Sequence, residues 1–458
     1  MLRHDPVTAV MVFRFSTDDG SSDEFAGRRV TVADDPKAEQ GRTLVHATAW
    51  MMVAQGARLG CQVIYFVLIA RVLGVHSFGA LAASVALVSI LVPFAAWGSG
   101  NVLVMDVVRS RAAFSVAFGN ALLSIALSSL VLVPLVVGLG AALLGRVPAL
   151  AILFLALADL CFGRLVDVAA PAFQAVEQLG AMTFATVLVP AARCLAVIFF
   201  AAGWTTHGLV AWTVFYLGGN VLAAGIALWQ VIRRLGLPTF RPSSLRGKVK
   251  LGGYFAIGLS AATIYADIDK TMLGRLSTFD ATGIYAAADR AIGMAFIPVG
   301  AMLAAAYPRF FRAGMSGIDG STAYARRLLT PSVAYGVVAG AAMYLLAPLA
   351  PHVLGADFQG SVAAVRWLTP IPLLSALYYL PADALTGADA QGLRTVLQLL
   401  AAGLNVLLNF LLIPAHSWRG AAWSTIASLT FLAASLWLAT VALRRFSSAA
   451  TPSLRNAG

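Results

Sequence analysis

The chain has 458 residues, 60% of them hydrophobic and 11% charged, with a formal net charge of +12. Soluble domains carry about 25% charged residues, so this composition argues against a water-soluble globular protein. The cations do not gather into one face and the aromatics lie in the apolar segments rather than in a basic patch, which leaves nucleic-acid binding without support.

Residues 1–42 hold Asp18, Asp19, Asp23, Glu24, Arg28, Arg29, Asp34, Asp35 and Lys37 among few large apolar groups. That stretch reads as a disordered cytoplasmic tail. No apolar run with a small-residue cleavage site precedes Thr43, so it does not read as a cleavable signal peptide. From residue 47 the pattern changes. Apolar stretches of about 20 residues, the length a bilayer requires of a spanning helix, recur to residue 443. Segment 122–144 is apolar without the every-second-residue alternation of an outer-membrane strand. The expected class is therefore all-α, a polytopic membrane protein with about twelve spans. These are placed near 47–70, 78–104, 116–144, 149–173, 182–202, 208–232, 251–273, 283–310, 328–348, 360–383, 395–413 and 421–443.

Lys and Arg set the expected orientation. With the amino terminus in the cytoplasm, the inner segments collect Arg109 and Arg111, the run from Arg233 to Lys250, Arg309, Arg312, Arg326, Arg327, Arg394, Arg444 and Arg445. The outer loops hold only Arg71, Arg146, Arg275 and Arg419. This asymmetry follows the positive-inside rule and predicts both termini in the cytoplasm, in a multi-pass protein of the cytoplasmic (inner) membrane. The basic segment 233–250, with Pro238 and Pro242, divides the spans into two pseudo-symmetric six-helix lobes. Residues 43–232 form the first, 251–445 the second, and 446–458 a cytoplasmic tail. A faint repeat agrees: Leu73-Gly74 through Phe78-Gly79 to Pro93 in one half, Leu273-Gly274 through Gly283 to Pro298 in the other.

Ionisable groups inside a membrane helix cost about 2.5–3.5 kcal/mol each on insertion scales, so their survival points to pairing or to a wet cavity. This chain places Arg58, Asp159, Arg164, Asp167, Arg193, Asp267, Asp269, Lys270, Asp289, Arg290 and Arg366 within its spans. Arg164 with Asp167, and Asp267 with Lys270, are three apart and share a helix face, which also suits simple structural ion pairs. Arg58 and Arg193 have no acidic residue within four positions on their own helices. Their partners must come from another helix, water or a bound molecule. Arg58, Arg164, Arg193, Lys270 and Arg290 are the candidate lining of a cationic cavity for an anionic headgroup. Asp159, Asp167 and Asp267 are candidate coupling or ion-pair carboxylates, with Asp159 or Asp267 the candidates for proton coupling.

Cys61, Cys161 and Cys194 sit in apolar segments without metal-ligand spacing, and the histidines fall in predicted loops or before the first span. No P-loop pattern occurs and no metal or other cofactor is expected. No outer loop exceeds a dozen or so residues, which argues against a membrane glycosyltransferase or polymerase.

The run Arg71-Val-Leu-Gly-Val-His-Ser-Phe-Gly79 resembles the R-x-L-G-x-x-x-[YF]-G opening of the polysaccharide transporter (oligosaccharide flippase, Wzx-type) family. That family belongs to the multidrug/oligosaccharidyl-lipid/polysaccharide exporter superfamily. Gly98 to Arg109, Asp269-Lys-Thr-Met-Leu-Gly274 and Gly283-Ile-Tyr-Ala-Ala-Ala288 are similar to further family motifs, although Val75 replaces a frequent proline. The resemblance covers most of residues 43–445. It implies a flippase for undecaprenyl-pyrophosphate-linked oligosaccharides that works by alternating access in surface polysaccharide biosynthesis. Its expected partners are the lipid-linked oligosaccharide, membrane lipids and other polysaccharide-assembly proteins. An ion-coupled exporter of small cationic drugs would instead favour an acidic cavity, whereas the intramembrane groups are six Lys/Arg against five Asp. A scaffold of an assembly complex would not require so many buried charges.

Overall fold

The computed structural model describes residues 36–203, 208–242, 260, 263, 264 and 266–450, with side chains placed between 54 and 445. The described residues form helices joined by short turns, with no strand among them, as the unbroken apolar segments predict. The first helix, α1, is assigned as Pro36–Ala96, 61 residues. A straight helix of that length would measure about 90 Å, against about 30 Å of bilayer hydrocarbon. The length resolves at Gly74, whose φ of 68° and ψ of 170° break the helix into two limbs. A left-handed φ suits glycine, which has no Cβ to clash. The limbs are the first two expected spans. α1 also reaches back to Pro36, into the stretch read from sequence as a tail.

The second limb ends at Trp97 and Gly98, both at positive φ, and continues as α2, Ser99–Arg109. α3 is Phe114–Leu143, α4 is Ala149–Ala175, α5 is Leu179–Ala201 and α6 is Leu209–Leu235. In the second half, α7 covers 266–276 and α8 is Phe279–Gly314. α9 is Gly317–Leu346, α10 Ser361–Leu368, α11 Ile371–Gly387, α12 Gln391–His416 and α13 Trp418–Ala450.

Among the described residues nine helices are long and apolar enough to cross a membrane. The expected count of twelve differs from this at three places. The first two spans join across Gly74. Most of the expected seventh span, 251–273, lies outside the described residues. The tenth breaks at Thr369–Pro370 into α10 and α11. The second part of the basic segment 233–250, residues 243–250, also lies outside the described residues; in the first part Thr239 N–H donates to the Ser115 carbonyl at 2.8 Å, and Arg241 N–H to Asn120 Oδ1 at 3.1 Å.

Helices pack mostly against sequence neighbours: α4 with α5 and α6, α8 with α9, α11 with α9 and α13, and α12 with α13. One apolar cluster joins the two halves of the chain, carrying Phe78 of α1 together with Phe279, Leu354 and Phe358. At this junction the backbones touch. A Cβ on Gly79 would lie 1.8 Å from the Phe279 carbonyl oxygen, and one on Gly283 2.2 Å from that of Val75. Arg71 donates from Nε to the Val353 carbonyl and from Nη2 to that of His352, both at 2.6 Å. His76 Nδ1 lies 3.2 Å from Asp280 Oδ2.

Candidate functional site

The first limb of α1 carries a polar stripe in an apolar helix. Gln55, Arg58, Gln62 and Tyr65 recur at spacings of three and four, which puts them on one face. That face meets α8 at Arg290 and borders two cavities. The larger, about 900 Å³, is walled by both limbs of α1, α7 and α8 and carries Arg58, Asp267, Lys270, Asp289 and Arg290. The smaller, about 330 Å³, extends between α4 and α5 and carries Arg58, Arg164, Asp167, Arg193 and Arg290. Arg58, Gln62, Tyr65 and Arg290 line both, so the two cavities share a wall.

All five candidate cations are therefore brought together, from both halves of the chain. With Asp167, Asp267 and Asp289 as the lining carboxylates, the combined walls carry a positive excess. The cations divide by how they are held. Arg193 Nη2 donates to Asp159 Oδ1 at 2.6 Å, and its guanidinium lies over the Tyr216 ring at 4.5 Å. Tyr216 Oη donates to the same carboxylate at 3.0 Å, so Asp159 is shared between α5 and α6. Asp159 itself sits in a π-helical turn, Leu157–Phe162, within α4. Such turns widen a helix by one residue and recur at functional sites. Asp159 does not line either cavity; it stands behind Arg193.

Arg164 Nη1 pairs with Asp167 Oδ2 at 2.7 Å, as the three-residue spacing predicts. Lys270 Nζ reaches Asp267 at 2.7 Å and Asp289 at 2.8 Å, and Ser89 Oγ donates to Asp267 at 3.1 Å. Arg58 and Arg290 have no ion pair or hydrogen bond among the described residues and face the open space. Arg366 behaves differently from the rest: it lies in α10, exposed, 4.9 Å over the Tyr344 ring and away from both cavities. Asp269 also stands apart, buried among α7, α8, α12 and α13.

The geometry adds residues that charge counting passed over. Gln62 and Tyr65 were legible as part of the polar stripe on the first span. Asp289 was visible as an intramembrane charge, but its pairing with Lys270 on a different helix left no trace in sequence spacing. The arrangement suits an anionic, polar guest: the cavities hold fixed cations, amide and phenol groups, and two arginines that no described side chain engages in an ion pair or hydrogen bond.

The polysaccharide biosynthesis protein family matches residues 44–313, more than half of the chain. No curated protein matches the chain by sequence. Among solved structures, the chain is similar to an inward-facing multidrug-resistance MATE family transporter of the MOP superfamily, with a TM-score of 0.69 at 14% identity. That match covers 85% of this chain and 98% of the other. It is also similar to the lipid II flippase MurJ in an inward closed conformation, with a TM-score of 0.69 at 13% identity, covering 85% of this chain and 87% of that one. A MOP superfamily transporter from Pyrococcus furiosus matches with a TM-score of 0.53 at 13% identity, over 87% of this chain and 96% of its own. At these identities the likeness establishes the fold. The chain belongs to the polysaccharide biosynthesis protein family, as a multi-pass membrane protein with the fold of the MOP superfamily transporters.

Proposed function

We propose that the protein is a flippase that carries polyprenyl-pyrophosphate-linked oligosaccharide units across the cytoplasmic membrane for surface polysaccharide biosynthesis. The observation that carries this reading is the pair Arg58 and Arg290, unpartnered cations from the two halves of the chain that share the wall of two polar cavities. An unpaired cation inside a membrane span is costly, and a bound pyrophosphate offsets that cost through charge-assisted hydrogen bonds. The larger cavity, at about 900 Å³, has room for sugar residues, and its Gln55, Gln62, Asp267 and Asp289 provide hydroxyl partners. The polyprenyl chain stays in lipid.

In this reading residues 43–232 and 251–445 act as two lobes that rock about the shared cavity, with both termini in the cytoplasm. Transport requires no covalent step by the protein. The contact of Gly79 and Gly283 lies at the outer ends of the second and eighth spans under the positive-inside orientation, where it closes the outer access. MurJ, a lipid II flippase, shares the fold, which supports a lipid-linked cargo. An acidic cavity would have favoured a cationic drug; the walls carry the opposite excess.

Deletion of the gene followed by analysis of lipid-linked intermediates tests the reading. The expected result is accumulation of a complete oligosaccharide on its polyprenyl carrier, facing the cytoplasm. A glycan lacking one sugar linkage, with flipping intact, would sink the proposal and point to an enzyme.

A further inference from the structure

The second limb of α1 does not run straight into α2. Trp97 has a φ of 45° and Gly98 one of 63°, so the chain turns there through the left-handed region. Glycine adopts that conformation freely and tryptophan does not, and such strain persists only where the surrounding structure imposes it. The turn leaves a cleft of about 480 Å³ between the second limb, α2 and α3. None of its lining residues lines either central cavity. Its frame is pinned by Ser128 Oγ of α3, which donates to the Ala95 carbonyl, and by Asn120 Oδ1, which accepts from the Arg241 N–H at 3.1 Å.

The wall is graded along its length. On α3 it runs from Ala117 to Leu132, about 22 Å at 1.5 Å per residue. Leu127, Val131 and Leu132 stand at one end, inside the apolar stretch 122–144 that matches the thickness of bilayer hydrocarbon. Ala117 and Asn120 stand at the other end, before that stretch begins, and Asp106 near the end of α2 lines that end too. Ser128 meets Ala95 and the helices run antiparallel, so Ser99 stands near the level of Ser124, at the boundary between the two ends. Ser99 Oγ is buried without a hydrogen-bond partner. The mouth is apolar: Leu127 is 53% exposed, Val131 64% and Trp97 37%. In the positive-inside orientation proposed above, the polar end is the cytoplasmic one.

Size and charge select the occupant. Spread over its length, the volume gives a mean cross-section of roughly 22 Å², well below that of an α-helix about 10–12 Å across, so a single hydrocarbon chain fits and a helix of a second copy does not. Asp106 is the ionisable group of this wall, and no lysine or arginine joins it. The central cavities carry five cations between them, so a pyrophosphate-bearing carrier finds its counter-charges there rather than here. We infer that this cleft binds one phospholipid of the cytoplasmic leaflet, of the zwitterionic class with an ammonium headgroup. One acyl chain lies along Leu127, Val131 and Leu132, the ester oxygens accept from the Ser99 hydroxyl, and the ammonium group faces the Asp106 carboxylate. An anionic headgroup would bring net negative charge to that carboxylate with no cation in the wall to offset it. The second limb of α1 presents Leu81, Val85 and Ala86 to the larger cavity, and Leu91, Phe94 and Trp97 to this cleft. The bound lipid therefore bears on a wall of the transport cavity from behind.

Native mass spectrometry and thermal unfolding of the purified full-length protein test this without any glycan substrate, so its failure is separate from failure of the flippase reading. Phosphatidylethanolamine, phosphatidylglycerol with the same acyl chains, and a polyprenyl phosphate are each added in mixed detergent micelles. The expected result is one phosphatidylethanolamine retained per chain, with a rise in Tm that phosphatidylglycerol does not match. Ser124→Phe, which places a ring inside the cleft, should abolish both, and Asp106→Asn should erase the preference between the two headgroups. Equal responses of the wild type to the two phospholipids, an unchanged response in Ser124→Phe, or an unchanged preference in Asp106→Asn would overturn the inference. Retention of the polyprenyl phosphate that Ser124→Phe abolishes would assign the cleft to the tail of the cargo. A dimer that the same variant dissolves would assign it to a second copy, and either result overturns the inference as well. Should Ser124→Phe fail to fold, Leu127→Trp blocks the mouth from an exposed position and is read by the same outcomes.

Discussion

Substituting Gly79 by alanine should hold the outer access open. The added Cβ would stand 1.8 Å from the Phe279 carbonyl oxygen and 2.7 Å from the Gly283 nitrogen, whereas real Cβ contacts essentially never fall below 3.0 Å. Both opposing atoms are backbone, so no rotamer relieves the clash and the helices must part by roughly 1 Å or more. Overpacking a close contact costs about 1–3 kcal/mol. On the proposed alternating-access reading the cost falls on the outer-closed state alone, because the crossing would separate when that side opens. The equilibrium then shifts toward the outer-open state by roughly 5- to 150-fold. Gln62→Cys, in a background lacking Cys61, Cys161 and Cys194, places a thiol on the wall shared by both cavities. An impermeant maleimide added to intact cells should label it faster by that factor in Gly79→Ala. Gly283→Ala, whose Cβ would lie 2.2 Å from the Val75 carbonyl oxygen, should act in the same direction. Unchanged labelling in both variants at normal expression would refute the gate.

Arg58→Ala and Arg290→Ala should each reduce transport by roughly 10- to 150-fold, the value of one lost hydrogen bond to a charged group of about 1.5–3 kcal/mol, with Tm unchanged because neither arginine holds a described partner. Full transport by both variants would remove the case for a cationic cavity. Asp159→Ala leaves Arg193 half-buried without its carboxylate and should destabilise the protein by about 3 kcal/mol, the lower end for a broken buried pair, in denaturant or thermal unfolding. Combining Asp159→Leu with Arg193→Met should recover most of that stability; no recovery would show that the pair is not the source of the loss. Lys270→Met exposes Asp267 and Asp289 to each other's charge and should lower Tm, with partial restoration on adding Asp289→Asn. A double variant no more stable than Lys270→Met alone would argue against that account.

The solvent of this fold was legible in its sequence because hydrocarbon imposes a length and a composition on every span. The charged residues were legible for the same reason, since each stands out against apolar neighbours. Pairings at a spacing of three, Arg164 with Asp167 and Asp267 with Lys270, followed from helix geometry. Pairings between helices did not. Nothing in sequence spacing joins Asp159 to Arg193 and Tyr216, or Lys270 to Asp289, because those contacts depend on helix packing rather than on helix period. The network at Asp269 was hidden for a related reason: Tyr285, Asn409 and Thr425 are uncharged, and each alone reads as an ordinary polar residue in a membrane helix. Asn405 and Asn409, four apart on one helix, were the available hint.

The glycine motifs gain a different meaning once the packing is known. Gly74, Gly79 and Gly283 belong to the runs by which the chain resembles its family, yet none of them lines the cavities. Gly74 supplies the left-handed φ that ends the first limb of α1, and the other two allow backbone to meet backbone between the halves of the chain. Such motifs report how helices close on one another, so they identify a family of transporters while saying little about cargo. Cargo must be read from groups outside those motifs that line the cavities: the polar stripe of Gln55, Arg58, Gln62 and Tyr65, and Arg290 opposite it. Exchanging that stripe, while keeping the glycines, should therefore alter which headgroup is carried and leave the opening and closing of the cavity intact.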